Sequence, residues 1–467
     1  GAIQPKNFTG TAFETWFNSG SSNVALSDFI ASGESRDIYN LYSLNPLIDK
    51  NRVREWHDLN KNGIDATGSQ PEVWDNPLEK YDDYEITERV GAGYIMNTLN
   101  ISQKLTIIAG LRVEDEDNDY LAKYMTGPAN GFPIPFATIR DTTSSSKQTI
   151  WLPNVNISYR PVEFMTIRLA GYKALARPDF SMRLDRYTAG RPSTSGAAQV
   201  IYVGNPNLKT AQAWNYEVNT SFYGNEIGLI SVSAYYKEIK DFFHLLTNFN
   251  TAGNEIMRSF GILWPHGYSS DLSSYNLVLP YNAPKPAKVW GFEFEHQINF
   301  HFLPGLLKNI VLSYNASFVR SLAVLYKQET IISRYDTLRN GQLRPVYKNV
   351  LGEQNYKLEG MPEFFGNVSL GYDIGGFSGR ISMFHKAVHD SSFSATGLSD
   401  RSILEYPRFD LSLKQQITDI FSIFLNVSNI TDARDGFELQ SRRWDRALFY
   451  QDERYGRTAE FGMTVEL

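Results

Sequence analysis

The sequence predicts an all-β chain: an antiparallel transmembrane β-barrel with short turns on one side of the membrane and long loops on the other. Three observations predict it. Apolar and polar residues alternate with period two in many separate segments. The connections between those segments are alternately short and long. A polar average, with mean hydropathy −0.34, goes with an aromatic content of 14%. Polar lumens, wet loops and aromatic girdles give a barrel that combination. No stretch approaches ~18 consecutive apolar residues, so the sequence offers no transmembrane helix.

The alternation is clearest from Trp290 to Phe300. One face carries Trp290, Phe292, Phe294, His296, Ile298 and Phe300, and the other Gly291, Glu293, Glu295, Gln297 and Asn299. A helix would mix these sets, whereas a strand separates them. The pattern recurs as Trp214, Tyr216, Val218 and Phe222 against Asn215, Glu217, Asn219 and Ser221. It recurs again from Ile310 to Phe318, from Phe421 to Val427, and in Phe461, Met463, Val465 and Leu467.

Tight turns are expected at Ser102-Gln103, Pro161–Glu163, Gly224–Glu226, Gly375-Gly376 and Thr418-Asp419. Long connections fall near 118–148, 176–210, 244–286, 324–356, 391–401 and 431–453. Thirteen strands result: 85–101, 104–117, 149–160, 164–175, 211–223, 227–243, 287–301, 309–323, 357–373, 377–390, 402–416, 420–430 and 454–467. Residues 1–84 read as a long extracellular loop region, with Thr9, Thr11, Phe13, Thr15 and Phe17 as the end of one more strand. The first and thirteenth strands run the same way, so they cannot close antiparallel on each other, and open edges are costly in lipid. Further strands, or the 9–17 segment, are expected to complete an even set.

Composition excludes several functions. With 45 Lys+Arg against 51 Asp+Glu, the formal charge is −6, and no basic stripe of the kind nucleic acid requires is present. There is no cysteine, so disulfide frameworks and thiolate metal sites are out. The chain opens Gly1-Ala2-Ile3, without an initiator Met or a signal-like apolar region, and reads as a processed or truncated end.

Three groups of residues could carry chemistry. Asp58, Asn60, Asn62 and Asp65 place oxygens at relative positions 1, 3, 5 and 8 around Gly63, a spacing that can wrap Ca²⁺ in an extracellular loop. Position 12 is Ser69 rather than a bidentate Glu, and a solvated turn accounts for the same residues. Trp264, His266 and Tyr268 offer rings for stacking on a sugar or a siderophore, or for packing the loop on itself. Arg442, Arg443 and Trp444 form a cationic cluster able to meet an anionic ligand or lipopolysaccharide phosphates, or simply a solvated face. Arg168, Glu293, Glu295, Arg408 and Asp410 read as lumen lining. Without a nucleophile–base–orienter set or a His cluster, no enzyme is expected. Asn205-Pro206 and Arg177-Pro178 read as punctuation, a turn start and a strand end.

Several segments resemble TonB-dependent outer-membrane receptors: Leu152-Pro-Asn-Val-Asn-Ile-Ser-Tyr-Arg-Pro161, Ala174-Leu-Ala-Arg-Pro-Asp-Phe180, Gly204-Asn-Pro-Asn-Leu-Lys209, Trp214-Asn-Tyr-Glu217, Ala234-Tyr-Tyr-Lys-Glu-Ile-Lys-Asp-Phe242, Gly371–Arg380, Leu425-Asn-Val-Ser-Asn-Ile-Thr-Asp432 and Tyr455-Gly-Arg-Thr458. Their order and spacing, over roughly 85–467, carry the likeness. The resemblance implies a multi-pass protein of the bacterial outer membrane, with a 22-stranded barrel plugged by an N-terminal domain. Of that barrel this chain would supply the 13–14 C-terminal strands, over 85–467, and the plug and early strands would be absent. It implies import of a small-molecule ligand, an iron chelate or a glycan. Energy would come from a TonB-type inner-membrane complex acting through the plug, and a surface lipoprotein is a further partner. No nucleic-acid partner is implied. The terminal Leu467 departs from the aromatic with which barrels often end. Two rivals stand beside this reading: a passive channel or adhesin barrel, and a soluble secreted glycan-binding sandwich whose second sheet would cover the apolar faces.

Overall fold

The structure is a computed structural model and describes residues 13–15, 25–31, 37–38, 42–43, 47–60, 83–126, 138–189, 199–252, 255–262, 275–442 and 444–466. The chain divides into two compact units, Gly1–Asp82 and Asp83–Leu467.

In the first unit the helix Lys50–Asn60 is the main element. Asp49 starts it by accepting from the backbone N–H of Asn51 at 2.9 Å. Phe13, Phe29 and Trp56 pack together, both Phe rings edge to face with Trp56 and tilted to each other, with centroids 5.0–6.1 Å apart. Phe13 lies in a turn, and Glu14 and Thr15 are helical. The strand expected over 9–17 is therefore not formed at its described residues, because Phe13 turns into this aromatic cluster instead of lying along a sheet.

The second unit is built on one antiparallel sheet of fourteen strands. Thirteen follow one another as neighbours: β1 (Glu85–Ser102), β2 (Leu105–Thr126), β3 (Thr138–Tyr159), β4 (Met165–Ala176), β5 (Ala211–Gly224), β6 (Gly228–Lys240), β7 (Ala287–Asn299), β8 (Ile310–Thr337), β9 (Phe364–Ile374), β10 (Phe377–Lys386), β11 (Tyr406–Gln416), β12 (Phe421–Ser428) and β13 (Thr458–Val465). The fourteenth, Leu343–Tyr356, pairs with the far end of β8. The thirteen are those the alternation predicts. At the turn between β9 and β10, Ile374 pairs with Phe377. The intervening Gly375 and Gly376 sit at φ 55° and 80°, left-handed values that a two-residue hairpin demands and glycine adopts freely.

Register keeps one chemistry on each face. Leu169, Val218, Ala234, Phe292, Phe318 and Phe364 lie opposite one another across β4–β9. On the other face Arg168, Asn219, Ser233, Glu293 and Ser317 do the same. A one-residue slip in any strand would invert this arrangement. The apolar face is uncovered: Trp290 and Phe292 are 42% and 43% exposed, and Phe461 68%. No second sheet lies over it among the described residues, which removes the sandwich and leaves a lipid-facing belt as its physical explanation.

The long connections are less irregular than expected. β2 and β3 pair without a break from Leu105↔Tyr159 to Thr126↔Thr138, so much of 118–148 is strand that continues past the belt. Much of 324–356 is likewise the hairpin of β8 with Leu343–Tyr356. The ladder hydrogen bonding continues there without the alternation that marks the belt. Conversely, the strand expected from 357 begins only at Phe364. The one expected from 402 divides into Asp400–Ile403 and β11, where Leu404 N–H leaves the ladder for Gly436 O.

Placing Arg at Leu370, on the outer face of β9, is expected to cost about 2–4 kcal/mol in a bilayer. Arg at the neighbouring inner position Ser369 should cost far less. Urea unfolding of the natural gene product in lipid vesicles reads both, and equal costs would contradict the assignment of faces.

Candidate functional site at the extracellular mouth

The long-loop end of the sheet carries a folded assembly. It begins where Pro178 ends β4. Arg177 donates to Glu114 at 2.7 Å and to Glu116 at 2.9 Å, both on the inner face of β2. The short helix Phe180–Arg183 then buries Arg183, which is 1% exposed. Its guanidinium donates to Glu116 at 2.9 Å, to Leu208 O at 3.0 Å and to the Thr210 hydroxyl at 2.8 Å. The loop 177–210 is thus pinned inward at both ends. A carboxylate as buried as Glu116, at 2% exposed, is tolerable only with such partners.

Four loop strands, Tyr187–Ala189, Gln199–Val203, Phe243–Thr251 and Tyr275–Asn282, form a small sheet of their own. Its core holds Ile201, Leu246, Phe249, Tyr275, Leu277 and Tyr281. Asn205 makes the expected turn: its side chain accepts from Asn207 N–H at 3.0 Å and donates to Pro280 O at 3.0 Å. Burial pushes the Tyr275 and Tyr281 hydroxyls up from the ordinary phenol range. Tyr281 Oη accepts from Tyr326 N–H on β8 at 3.1 Å, and His244 meets Glu359 at 3.1 Å.

A second loop sheet contains His389–Ser392, Asp400–Ile403, Asp435–Ser441 and Arg446–Glu453. The segment 393–395 ties it to the first. Phe393 N–H donates to Glu359 at 2.7 Å, Ala395 N–H to Thr247 O at 2.9 Å, and Gln328 N–H to Ala395 O at 2.8 Å. Burial holds the His389 imidazole below its usual range, with Lys386 and Asp390 acting in opposite directions beside it.

The sequence candidates divide sharply. Arg442 is engaged within the protein although it stays partly exposed. It pairs with the buried Asp400 and lies 4.2 Å over Tyr356 and 4.8 Å over Phe393, a structural use of the cation. Trp444, two residues on, is 65% exposed. Arg443, Trp264, His266 and Tyr268 lie outside the described residues, as do Asn62 and Asp65 of the calcium spacing. Asp58 and Asn60 lie in the last turn of the helix Lys50–Asn60, where the His57 ring stands 3.4 Å from Asp58. Below the mouth, a concavity of about 750 Å³ lies against the inner face, lined by Thr106, Asn156, Arg168, Glu217, Asn219 and Glu295 among others. Glu293, Arg408 and Asp410 share that face, and Arg408 donates to Asp410 at 2.9 Å. The wall offers hydrogen bonds of both senses and both charges, which suits a polar solute.

Sequence reasoning missed the clasp of Glu114, Glu116, Arg177 and Arg183. Its one local signal was four carboxylates and an Asn crowded into 114–118 on a strand. It also missed the edge strand Arg446–Glu453, whose Leu448, Phe449 and Tyr450 stand exposed beside Trp444.

The family described as TonB dependent receptor-like, beta-barrel, matches residues 5–430. No curated protein matches the sequence. Among solved structures, the copper transporter OprC aligns at TM-score 0.50 and 14% identity, over 82% of this chain and 48% of that one. The hemophore receptor HasR of Serratia marcescens aligns at 0.48 and 14%, over 81% and 51%. The ferric enterobactin receptor PfeA of Pseudomonas aeruginosa aligns at 0.48 and 12%, over 82% and 54%. The chain spans about half the length of these structures, and the likeness to OprC is one of fold.

Replacing Arg183 by Met leaves Glu116 buried with less compensation and should destabilise the loop by about 3–5 kcal/mol. Limited proteolysis should then cut within 186–199 while the barrel stays folded, and adding Glu116→Gln should restore part of the protection. Because the folded His389 pKa lies below its unfolded value, the unfolded hairpin binds the proton more readily. The contribution of His389 to stability is therefore complete above about pH 6.5 and is lost as pH falls from there through the lower folded pKa. Hydrogen exchange of 389–403 at pH 5 and pH 7.5 should show this loss, and His389→Gln should abolish it.

Proposed function

This chain belongs to the TonB-dependent receptor β-barrel family, and from that premise we propose that it acts in a ligand-gated receptor importing a scarce nutrient through the outer membrane. The family is one of outer-membrane receptors and transporters. The ligand class in this reading is an iron chelate or an oligosaccharide, taken up with energy coupled from the inner membrane through a TonB-type complex.

The observation that supports it most is the mouth. Here loop 177–210 is pinned onto the inner face by Arg177 and Arg183, and the two loop sheets are stitched together through 393–395. Such an assembly offers a folded surface to a ligand. The exposed Trp444, Phe449 and Tyr450 suit stacking on the rings of a catecholate chelate or the faces of a sugar.

Uptake assays on cells carrying the natural gene product test the reading. Radiolabelled ferric catecholate, haem, copper and a maltooligosaccharide are supplied in turn, with and without an uncoupler. One of them is expected to enter at low concentration and to stop entering when the proton-motive force is dissipated. Entry that is unsaturable and insensitive to the uncoupler would make the protein a passive channel.

A further inference from the structure

The outer face is not uniform around the sheet. On β4–β8 its extracellular end carries an aromatic row, Tyr216, Tyr236 and Trp290, in register with Gly171 on one side and Arg320 on the other. Two residues further out on each strand comes the row Lys173, Trp214, Glu238, Lys288 and Leu322. Lys240 lies beyond Glu238 on the same face of β6. Trp214 and Tyr216 stack, with ring planes 10° apart, and Tyr236 Oη reaches Glu238 at 3.4 Å. Arg320 is paired with Glu363. Lys173, Lys240 and Lys288 enter no ion pair among the described residues. Three uncompensated ammonium groups therefore face one carboxylate, at the upper edge of an apolar belt.

The neighbouring sectors differ. On β2 the residues above the belt are Asp115, Asp117 and Asp119, and their partners lie within the protein: Thr149, Lys147 and Arg89. On β9–β11 the outward residues nearest the long-loop end are Phe364, His385 and Pro407, two to three outward pairs below the level of the lysine row. The three lysines of β4–β8 set that face apart from both of these sectors.

We propose that the outer face of β4–β8 is a docking surface for a phosphate-bearing lipid of the outer leaflet. Its acyl chains would lie on Phe292, Phe318 and Val218, its sugar or glycerol on the Trp214/Tyr216/Tyr236/Trp290 shelf, and its phosphates against Lys173, Lys240 and Lys288. Adjacent strands are about 4.8 Å apart, so Lys173 and Lys288, three strands apart, are separated by about 14 Å. That span suits a headgroup bearing two phosphates better than one bearing a single phosphate. The inference rests on the outer face meeting lipid, and not on which nutrient is imported.

Native mass spectrometry of the detergent-extracted natural gene product tests it. The probe is a diphosphorylated multi-acyl glycolipid doped into the micelles, against the same lipid with its phosphates removed. The combined Lys173→Gln, Lys240→Gln and Lys288→Gln variant should lose roughly fivefold in apparent affinity per lysine, roughly a hundredfold together. The corresponding Lys→Arg variant should bind like the parent, and both should keep the heat-shifted gel band of a folded barrel and the parental uptake rate. Equal binding of the Gln variant, or equal binding of the dephosphorylated lipid by the parent, would overturn the proposal. Loss of uptake with lipid binding retained would strike the transport reading alone.

Discussion

Lipid offers no hydrogen bonds, so each backbone N–H and C=O in the belt must be satisfied by a neighbouring strand at the cost of several kcal/mol if it is not. The rest of the structure depends on that constraint. It forces continuous ladders such as the unbroken β2–β3 pairing. It also makes register decisive, since a slipped strand would turn Phe292 and Phe318 inward and Glu293 and Ser317 into hydrocarbon. With thirteen strands joined antiparallel in sequence, β1 and β13 run in the same direction. They cannot be each other's antiparallel partner. Each edge needs its own partner in the bilayer, a requirement of the sheet itself.

This constraint is also why so much of the fold was legible. A ladder with lipid on one side and polar surroundings on the other writes itself as period two, and all thirteen strands of the path were readable from that alone. The boundaries failed where the constraint ends. Beyond the belt no solvent contrast enforces alternation, so β2, β3 and β8 continue as hairpins that the pattern did not separate from loop. At the other extreme, Phe13 would share one strand face with Thr11 and Thr15, yet turns to pack on Phe29 and Trp56. Three aromatic contacts there outweigh a weak strand preference.

The mouth was far less legible, and for a definite reason. Its contacts join residues from 34 to 115 positions apart: Arg183 with Glu116, Glu359 with Phe393 and His244, Arg442 with Tyr356 and Asp400. A cationic cluster read locally looks like a ligand site. In the folded chain Arg442 is consumed by two rings and a carboxylate, while the lysines that remain uncompensated, Lys173, Lys240 and Lys288, sit in separate strands and cluster only through register. Charge counted along a sequence and charge available on a surface are different quantities. Internal pairing decides which arginines and lysines belong to the second.

Stability is accordingly divided between two kinds of bond. The sheet is held by ladders with no competitor in lipid, and opening one strand there breaks many hydrogen bonds at once. The mouth is held by a few side-chain clasps outside the lipid, where each is worth only a few kcal/mol and local opening is the low-energy motion. At the exposed edge of the second loop sheet Arg442 joins Asp400, Tyr356 and Phe393. Through 393–395 this contact is continuous with Thr247 and Gln328, on the first loop sheet and on β8. Any motion this transmits must be taken up by the clasps, including Arg183 on Glu116, because the ladder beneath them cannot yield without exposing its backbone to hydrocarbon. Stiff wall and yielding mouth thus follow from the same difference in solvent.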